Sequence, residues 1–175
     1  MAVILYHSTT IQIHHTMAIM KQSVSLLLHN IRSVYNVGSI FRTAECLGVE
    51  KIYLSGYTPA PVDRFGRARS DFHKVALGTE KVIAWEQVKD YTGLIKGLKH
   101  NSYEIVALEQ VSDSQLLQNF VPIQPILLIP GTETTGVDPE LVEMCDTTVE
   151  IAQQGTKESL NVHTATAIAC WHLLH

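Results

Sequence analysis

The chain has 175 residues, enough for one domain with a sizeable core, and its 46% hydrophobic and 17% charged residues make a globular composition. No apolar run reaches the length of a bilayer span, and the opening MAVILYHSTTIQIHHTMAIMKQ lacks the basic start and cleavage site of a secretory signal. The net charge of −4 excludes a general polyanion binder, yet residues 1–80 carry eight Lys/Arg against five Asp/Glu, and residues 81–175 carry five against twelve.

That split alone is also compatible with an ordinary solvated surface. Residues 1–22 read unlike the rest and are expected to form an N-terminal extension, with Met17 or Met20 as a candidate natural start. Cys46, Cys145 and Cys170 are odd in number and widely spaced. They form neither a disulfide framework nor a zinc pattern, so reduced buried thiols in a cytoplasmic protein are expected. The adjacent His14 and His15 do not share a helix face, and HExxH is absent, so no metal is expected.

In chain order, SVSLLLH (23–29) predicts a strand. Asn36 is a candidate cap for a helix whose apolar face is Val37, Ile40, Phe41, Ala44 and Leu47, ending at Gly48. KIYLSG (51–56) predicts a second strand. TPAPVDRFGRARSDFHK (58–74) is a polar loop, followed by a short helix around Val75–Leu77, a strand at 81–86 and a helix near 87–99. YEIVALE (103–109) and PILLIP (125–130) are continuous apolar runs, as buried parallel strands require, with a short helix expected over SQLLQNF (114–120). Asp138 and Pro139 open a helix over 138–145, TTVEIA (147–152) is the last strand, and 160–174 is the last helix. The alternation predicts one α/β domain over 23–175, with a mostly parallel sheet and helices on both faces.

Ligands of such sheets gather at the carboxyl ends of the strands. Three segments fall there: NIRSVYNVGSIFRTAE (30–45), PGTETTGVDPE (130–140) and QQGTKESLN (153–161). Gly131 and Gly136 bracket Glu133 and allow a tight turn. Ser159 and Asn161 straddle the start of the last helix, where backbone N–H groups are free. Taken singly, Asn36, Asp138 and Ser159 are equally well read as helix caps. The dinucleotide, P-loop and serine-hydrolase fingerprints GxGxxG, GxxxxGK[ST] and GxSxG are all absent.

NVGSIFRTAE (36–45), LLIPGTETTGV (127–137) and IAQQGTKESLNVHTATAIA (151–169) together resemble the three ordered motifs of the SpoU, or TrmH-type, RNA ribose methyltransferases of the SPOUT superfamily. The resemblance spans roughly residues 23–174. It implies a C-terminal deep trefoil knot, an S-adenosyl-L-methionine site formed by the knot, a homodimer and an RNA substrate. It further implies that Arg42 activates the ribose 2′-hydroxyl, that Asn36 positions it, and that Glu133, Ser159 and Asn161 complete the catalytic set. Leu108, Gly131, Ile151 and Leu160 match cofactor-holding positions. Two departures stand out: Gly131-Thr132-Glu133 where the family often has Gly-Asn-Glu, and Ile151-Ala152 where it often has Ile-Pro.

With that resemblance, Arg64, Arg67, Arg69 and Lys74 are expected to meet RNA phosphates, and Phe65, Phe72 and His73 to stack on bases. Asn30 and Arg32 either shape the lead-in loop or meet RNA. The expected reaction is methylation of a ribose 2′-hydroxyl in tRNA or rRNA. A catalytically silent RNA-binding protein on the same fold and a base methyltransferase are the rival readings. A guanidinium stays protonated near neutral pH, so Arg42 is better suited to stabilise charge than to act as base.

Overall fold

Continuous apolar runs pair side by side at the centre of the protein, whose computed structural model describes residues 22–175. The expectations for the N-terminal extension, including His14, His15, Met17 and Met20, lie outside the described residues. Seven strands form one sheet: β1 (Val24–His29), β2 (Lys51–Ser55), β3 (Ala84–Val88), β4 (Glu104–Leu108), β5 (Gln115–Leu116), β6 (Ile126–Pro130) and β7 (Thr147–Glu150). Their order is β3-β2-β1-β6-β4-β7-β5, and every neighbouring pair is parallel. The helices are α1 (Val34–Leu47), α2 (Ser70–Ala76), α3 (Tyr91–His100), α4 (Pro139–Glu143) and α5 (Val162–Leu174).

Side chains alternate along each central strand and so build two cores. Leu26, Leu28, Val106 and Leu128 face α1, α2 and α5, meeting Val37, Phe41, Phe72, Ala169 and Leu173. Leu27, Ile105, Ala107, Leu127 and Ile129 face the other way and meet Ile95 of α3 and Leu141 of α4. Burying each large side chain contributes about 1.5–3 kcal/mol. The α/β class, the parallel sheet and the helices on both faces are as the sequence predicts.

Several boundaries differ from expectation. The N-cap of α1 is Ser33, whose hydroxyl accepts from the Asn36 backbone N–H at 3.2 Å. Asn36 lies inside the helix, and its amide is used elsewhere. Gly48 ends α1 as expected, with φ 80°. Helix α2 starts earlier than expected because Phe72 and Ala76, one turn apart, are both buried. Strand β3 is shifted towards its C-terminal side. SQLLQNF is not an α-helix: Gln115–Leu116 pair with the edge of β7, and Leu117–Asn119 form one 3-10 turn. Helix α4 begins at Asp138 and Pro139 as expected, and Asn161 rather than Ser159 caps α5.

Ser33→Ala removes the α1 cap and lowers the unfolding free energy by about 1 kcal/mol in urea titration. An unchanged midpoint would show that the hydroxyl does not act as the cap.

Candidate active site

Parallel pairing puts every strand's carboxyl end at one edge of the sheet, and the central order sets which loops meet there. β6 lies between β1 and β4, so the loop after β6 borders the start of α1. β7 lies beyond β4, and the loop after it leads into α5.

Three polar side chains from these loops form one hydrogen-bonded chain. The Asn36 Nδ2 group donates to Glu133 Oε1 at 2.9 Å, and Asn161 Nδ2 donates to Asn36 Oδ1 at 3.1 Å. Asn36 is 5% exposed, so its donor and acceptor are both used inside the protein. The Glu133 carboxylate also accepts the backbone N–H groups of Ser33 at 3.2 Å and Arg32 at 3.3 Å. It thus takes free donors at the start of α1, where a helix favours negative charge. Asn161 meanwhile caps α5 through Oδ1, which accepts from the His163 N–H at 2.9 Å. Burial opposes ionisation of Glu133, but the Asn36 amide and the backbone N–H groups outweigh it and hold its pKa below the usual value.

Beside this chain lies a cavity. Leu108, Gly131, Ile151 and Leu160 all line it, together with Glu133 and Ser159. Ser159 is exposed there. The ionisable residues lining it are Glu109, Glu133, Glu150 and Glu158, with no Lys, Arg or His among them.

Glu109 was not marked by the sequence reading. Its Oε2 accepts the Val137 N–H at 2.7 Å, and its Oε1 accepts the Gln110 N–H at 2.9 Å. The carboxylate sits under the turn after β6. A Cβ on Gly136 would come within 2.1 Å of Oε2, and one on Gly131 within 2.8 Å. Gly136 has φ 72°, and Thr132 N–H closes the turn on its carbonyl at 2.9 Å. The two glycines therefore answer to a side chain from another strand as well as to their own turn. No local pattern marks Glu109; its one signal is a carboxylate ending an apolar strand.

Arg42 does not join the Asn36–Glu133–Asn161 chain. It is exposed in a neighbouring groove that also holds Tyr35, Ser39, Thr43, Lys74 and His163. The two sites connect through the first turn of α5. His163, whose backbone is capped by Asn161, places Nε2 2.9 Å from Thr43 Oγ1, next to Arg42. Burial lowers the His163 pKa and so favours the neutral ring.

The candidate RNA contacts divide. Phe65 is 66% exposed and lies between two guanidiniums, Arg64 at 4.8 Å and Arg67 at 5.0 Å from its centroid. Arg67 also pairs with Asp63 at 2.8 Å, and Arg69 with Asp71 at 2.6 Å. Lys74 faces the Arg42 groove. The guanidinium of Arg32 forms no ion pair among the described residues, while its backbone N–H serves Glu133. Phe72 cannot stack on a base: it is fully buried and meets Phe41 edge-on at 5.1 Å. Asn30 shapes the lead-in loop, with φ 56° and its Oδ1 accepting from the Tyr57 N–H at 3.2 Å.

Glu133 gives the site a pH signature. A depressed carboxyl pKa contributes stability that is complete above the unfolded value near 4.3 and is lost as pH falls through the folded value. Urea unfolding of wild type and Glu133→Gln from pH 7 to pH 3 (the range is about four units wide) should show the stability gap closing below about pH 4.3. A gap independent of pH would exclude an ionised Glu133 as the hub of these contacts.

Residues 23–171 match the SpoU rRNA Methylase family. The chain is 32% identical over 143 residues to the 23S rRNA (guanosine-2'-O-)-methyltransferase RlmB of Blochmanniella floridana, covering 82% of this chain and 54% of that one. It is 29% identical over 139 residues to the tRNA (guanosine(18)-2'-O)-methyltransferase of Aquifex aeolicus, covering 79% and 63%. The crystal structure of the A. aeolicus TrmH/SpoU tRNA modifying enzyme superposes with a TM-score of 0.75 at 25% identity, over 88% of this chain and 76% of that one. The chain thus spans less than two thirds of the length of these two sequence relatives. With its motifs, parallel sheet and loop arrangement, the chain belongs to the SpoU rRNA methylase family.

Proposed function

We propose that this protein transfers the methyl group of S-adenosyl-L-methionine to a ribose 2′-hydroxyl of a transfer or ribosomal RNA. The observation that carries the reading is the chain Asn161–Asn36–Glu133, which locks three distant loops beside an acidic cavity. That cavity fits the cofactor: Glu109, Glu133 and Glu150, none of them in an ion pair among the described residues, suit its positive sulfonium and ammonium groups, while Leu108, Ile151 and Leu160 supply apolar cover. When bound, the cofactor supplies an electrophilic methyl carbon and a good leaving group.

The residues of the chain then have two tasks. Gly131, Leu108, Ile151 and Leu160 hold one reactant, Asn36, Glu133 and Asn161 fix the loops that align the other, and the exposed Ser159 on the cavity wall contacts the reacting groups. Arg42 remains cationic and stabilises negative charge developing on the ribose oxygen or on the adjoining phosphate. Water or another group accepts the hydroxyl proton. Arg32, Arg64, Arg67, Arg69 and Lys74 attract the RNA backbone. The reading includes the family's trefoil knot, a domain over 23–175, a homodimer, a cytoplasmic location and no metal. Cys170 is buried and Cys145 half-buried, with thiol pKa values pushed up to about 12 by burial, whereas Cys46, expected to be buried, is exposed on α1. No helix among the described residues is long and apolar enough to cross a membrane.

Incubation with methyl-labelled S-adenosylmethionine and total RNA, followed by digestion to nucleosides, tests the reading. Label should appear in 2′-O-methyl nucleosides. Arg42→Ala should lower the rate by about a hundredfold or more while leaving cofactor affinity within a few fold. Label in base-methylated nucleosides would favour a base methyltransferase, and RNA binding without label would favour a silent RNA-binding protein.

A further inference from the structure

Outside the candidate active site, the fold holds a second slot beside α2. Pro61, Ala68, Arg69, His73, Glu80 and Trp85 line it. Glu80 is the unusual member. Its side chain is 10% exposed, and its Oε2 is the one buried side-chain oxygen or nitrogen among the described residues that lacks a hydrogen-bond partner. Its Oε1 meets His73 Nδ1 at 2.7 Å. A buried carboxylate oxygen left unpaired is costly, and native proteins rarely keep one without a reason. The indole of Trp85 is held in place because its N–H donates to the Glu80 backbone carbonyl at 3.0 Å.

We propose that this slot binds a guanine base of the RNA substrate, flanking the nucleotide that is methylated. The inference takes its polymer from the RNA reading above, but the base follows from the slot. The half-buried Trp85 offers a flat apolar surface for a nucleobase. A carboxylate accepts hydrogen bonds and cannot donate them. Among the four RNA bases, guanine alone presents two adjacent donors, N1–H and N2–H, on its pairing edge. A cationic peptide side chain would also satisfy a carboxylate, but it would meet Lys81, which has no ion pair among the described residues, and be repelled. A nucleotide carries a phosphate that Lys81 attracts, while Arg69 is already held by Asp71 at 2.6 Å.

His73 is the gate. Its side chain is 54% exposed, so the ring can turn into solvent and free Oε1 beside the unpaired Oε2. Folding has already stripped Glu80 of most of its water, so the incoming base restores hydrogen bonds with little further desolvation. The position fits a flanking contact. His73 borders this slot, whereas its neighbour Lys74 borders the Arg42 groove, so α2 separates the two.

The test reads Trp85 directly. The protein has two tryptophans, and Trp171→Phe leaves Trp85 as the sole indole. In that background, GMP, AMP, CMP and UMP are titrated while Trp85 fluorescence is followed. GMP should quench saturably, with half-saturation about tenfold lower than for the other three. Glu80→Gln replaces one acceptor by a donor and should abolish the preference for GMP. His73→Ala removes the competitor and should tighten GMP binding by a few fold, which keeps the test decisive if Glu80→Gln folds poorly. Equal responses to all four nucleotides, or no response to GMP at about 10 mM, would overturn the slot. Methyl transfer by the wild type is measured alongside. Transfer without GMP-selective quenching sinks the slot alone, and selective quenching without transfer sinks the catalytic reading alone.

Discussion

The arrangement of the site depends on the side-chain amide of Asn36. It is buried, it donates to Glu133, 97 positions along the chain, and it accepts from Asn161, 125 positions along. An amide suits the position because it offers a donor and an acceptor on one rigid plane. An aspartate would set a carboxylate against Glu133, and an apolar residue would strand the partners of both contacts. Leaving a buried polar group unpaired costs about 1–3 kcal/mol, a large share of a domain's net stability. The helix fixes where the amide points, so the first turn of α1 determines how the other two loops must lie.

The sheet order makes this possible. Strand β6 enters between β1 and β4, which sets the turn after β6 against the start of α1 on one side and the end of β4 on the other. From the first side Glu133 reaches the free N–H groups of α1. From the second, Glu109 braces the same turn through Val137. One carboxylate from within the glycine-bracketed turn, Glu133, and one just after β4, Glu109, thus hold the turn in place. A Cβ on Gly131 or Gly136 would push the Glu109 carboxylate off its place against the turn, so these glycines let the brace form, and Gly136 also needs its positive φ.

Much of this was legible in the sequence, because local patterns decide it. SLLL, EIVAL and ILLIP are buried on both faces, and such runs read as parallel strands whatever their neighbours are. What was missed depends on contacts between distant residues. Ser33 and Asn36 both have side chains able to cap a helix, and only the pull of Glu133 and Asn161 on Asn36 leaves the cap to Ser33. SQLLQNF carries apolar residues at a spacing that suits a helix, but an open edge of β7 captures Gln115 and Leu116 as a strand. Glu109 has no local signature at all. Phe72 is different: its spacing of four from Ala76 already marked it as a core residue, and the polar loop before it obscured that signal.

The uneven charge of the chain now has a spatial counterpart. The acidic cavity draws Glu109, Glu133, Glu150 and Glu158 from the second half, while Arg42 and Lys74 in the adjacent groove come from the first. For the proposed reaction, between a cationic cofactor and a polyanionic substrate, this separation would serve both. Each reactant meets its own field, and the two fields lie side by side along α1 and the start of α5. Exposed charges act over about one Debye length, roughly 8–10 Å in physiological salt, so neighbouring pockets can keep opposite potentials. The proposed RNA substrate therefore does not require a chain that is basic overall, and the net charge of −4 is compatible with it. Under the proposed reaction the positive charge needs to be concentrated only in the groove, which Arg42 of α1 and Lys74 of α2 both line.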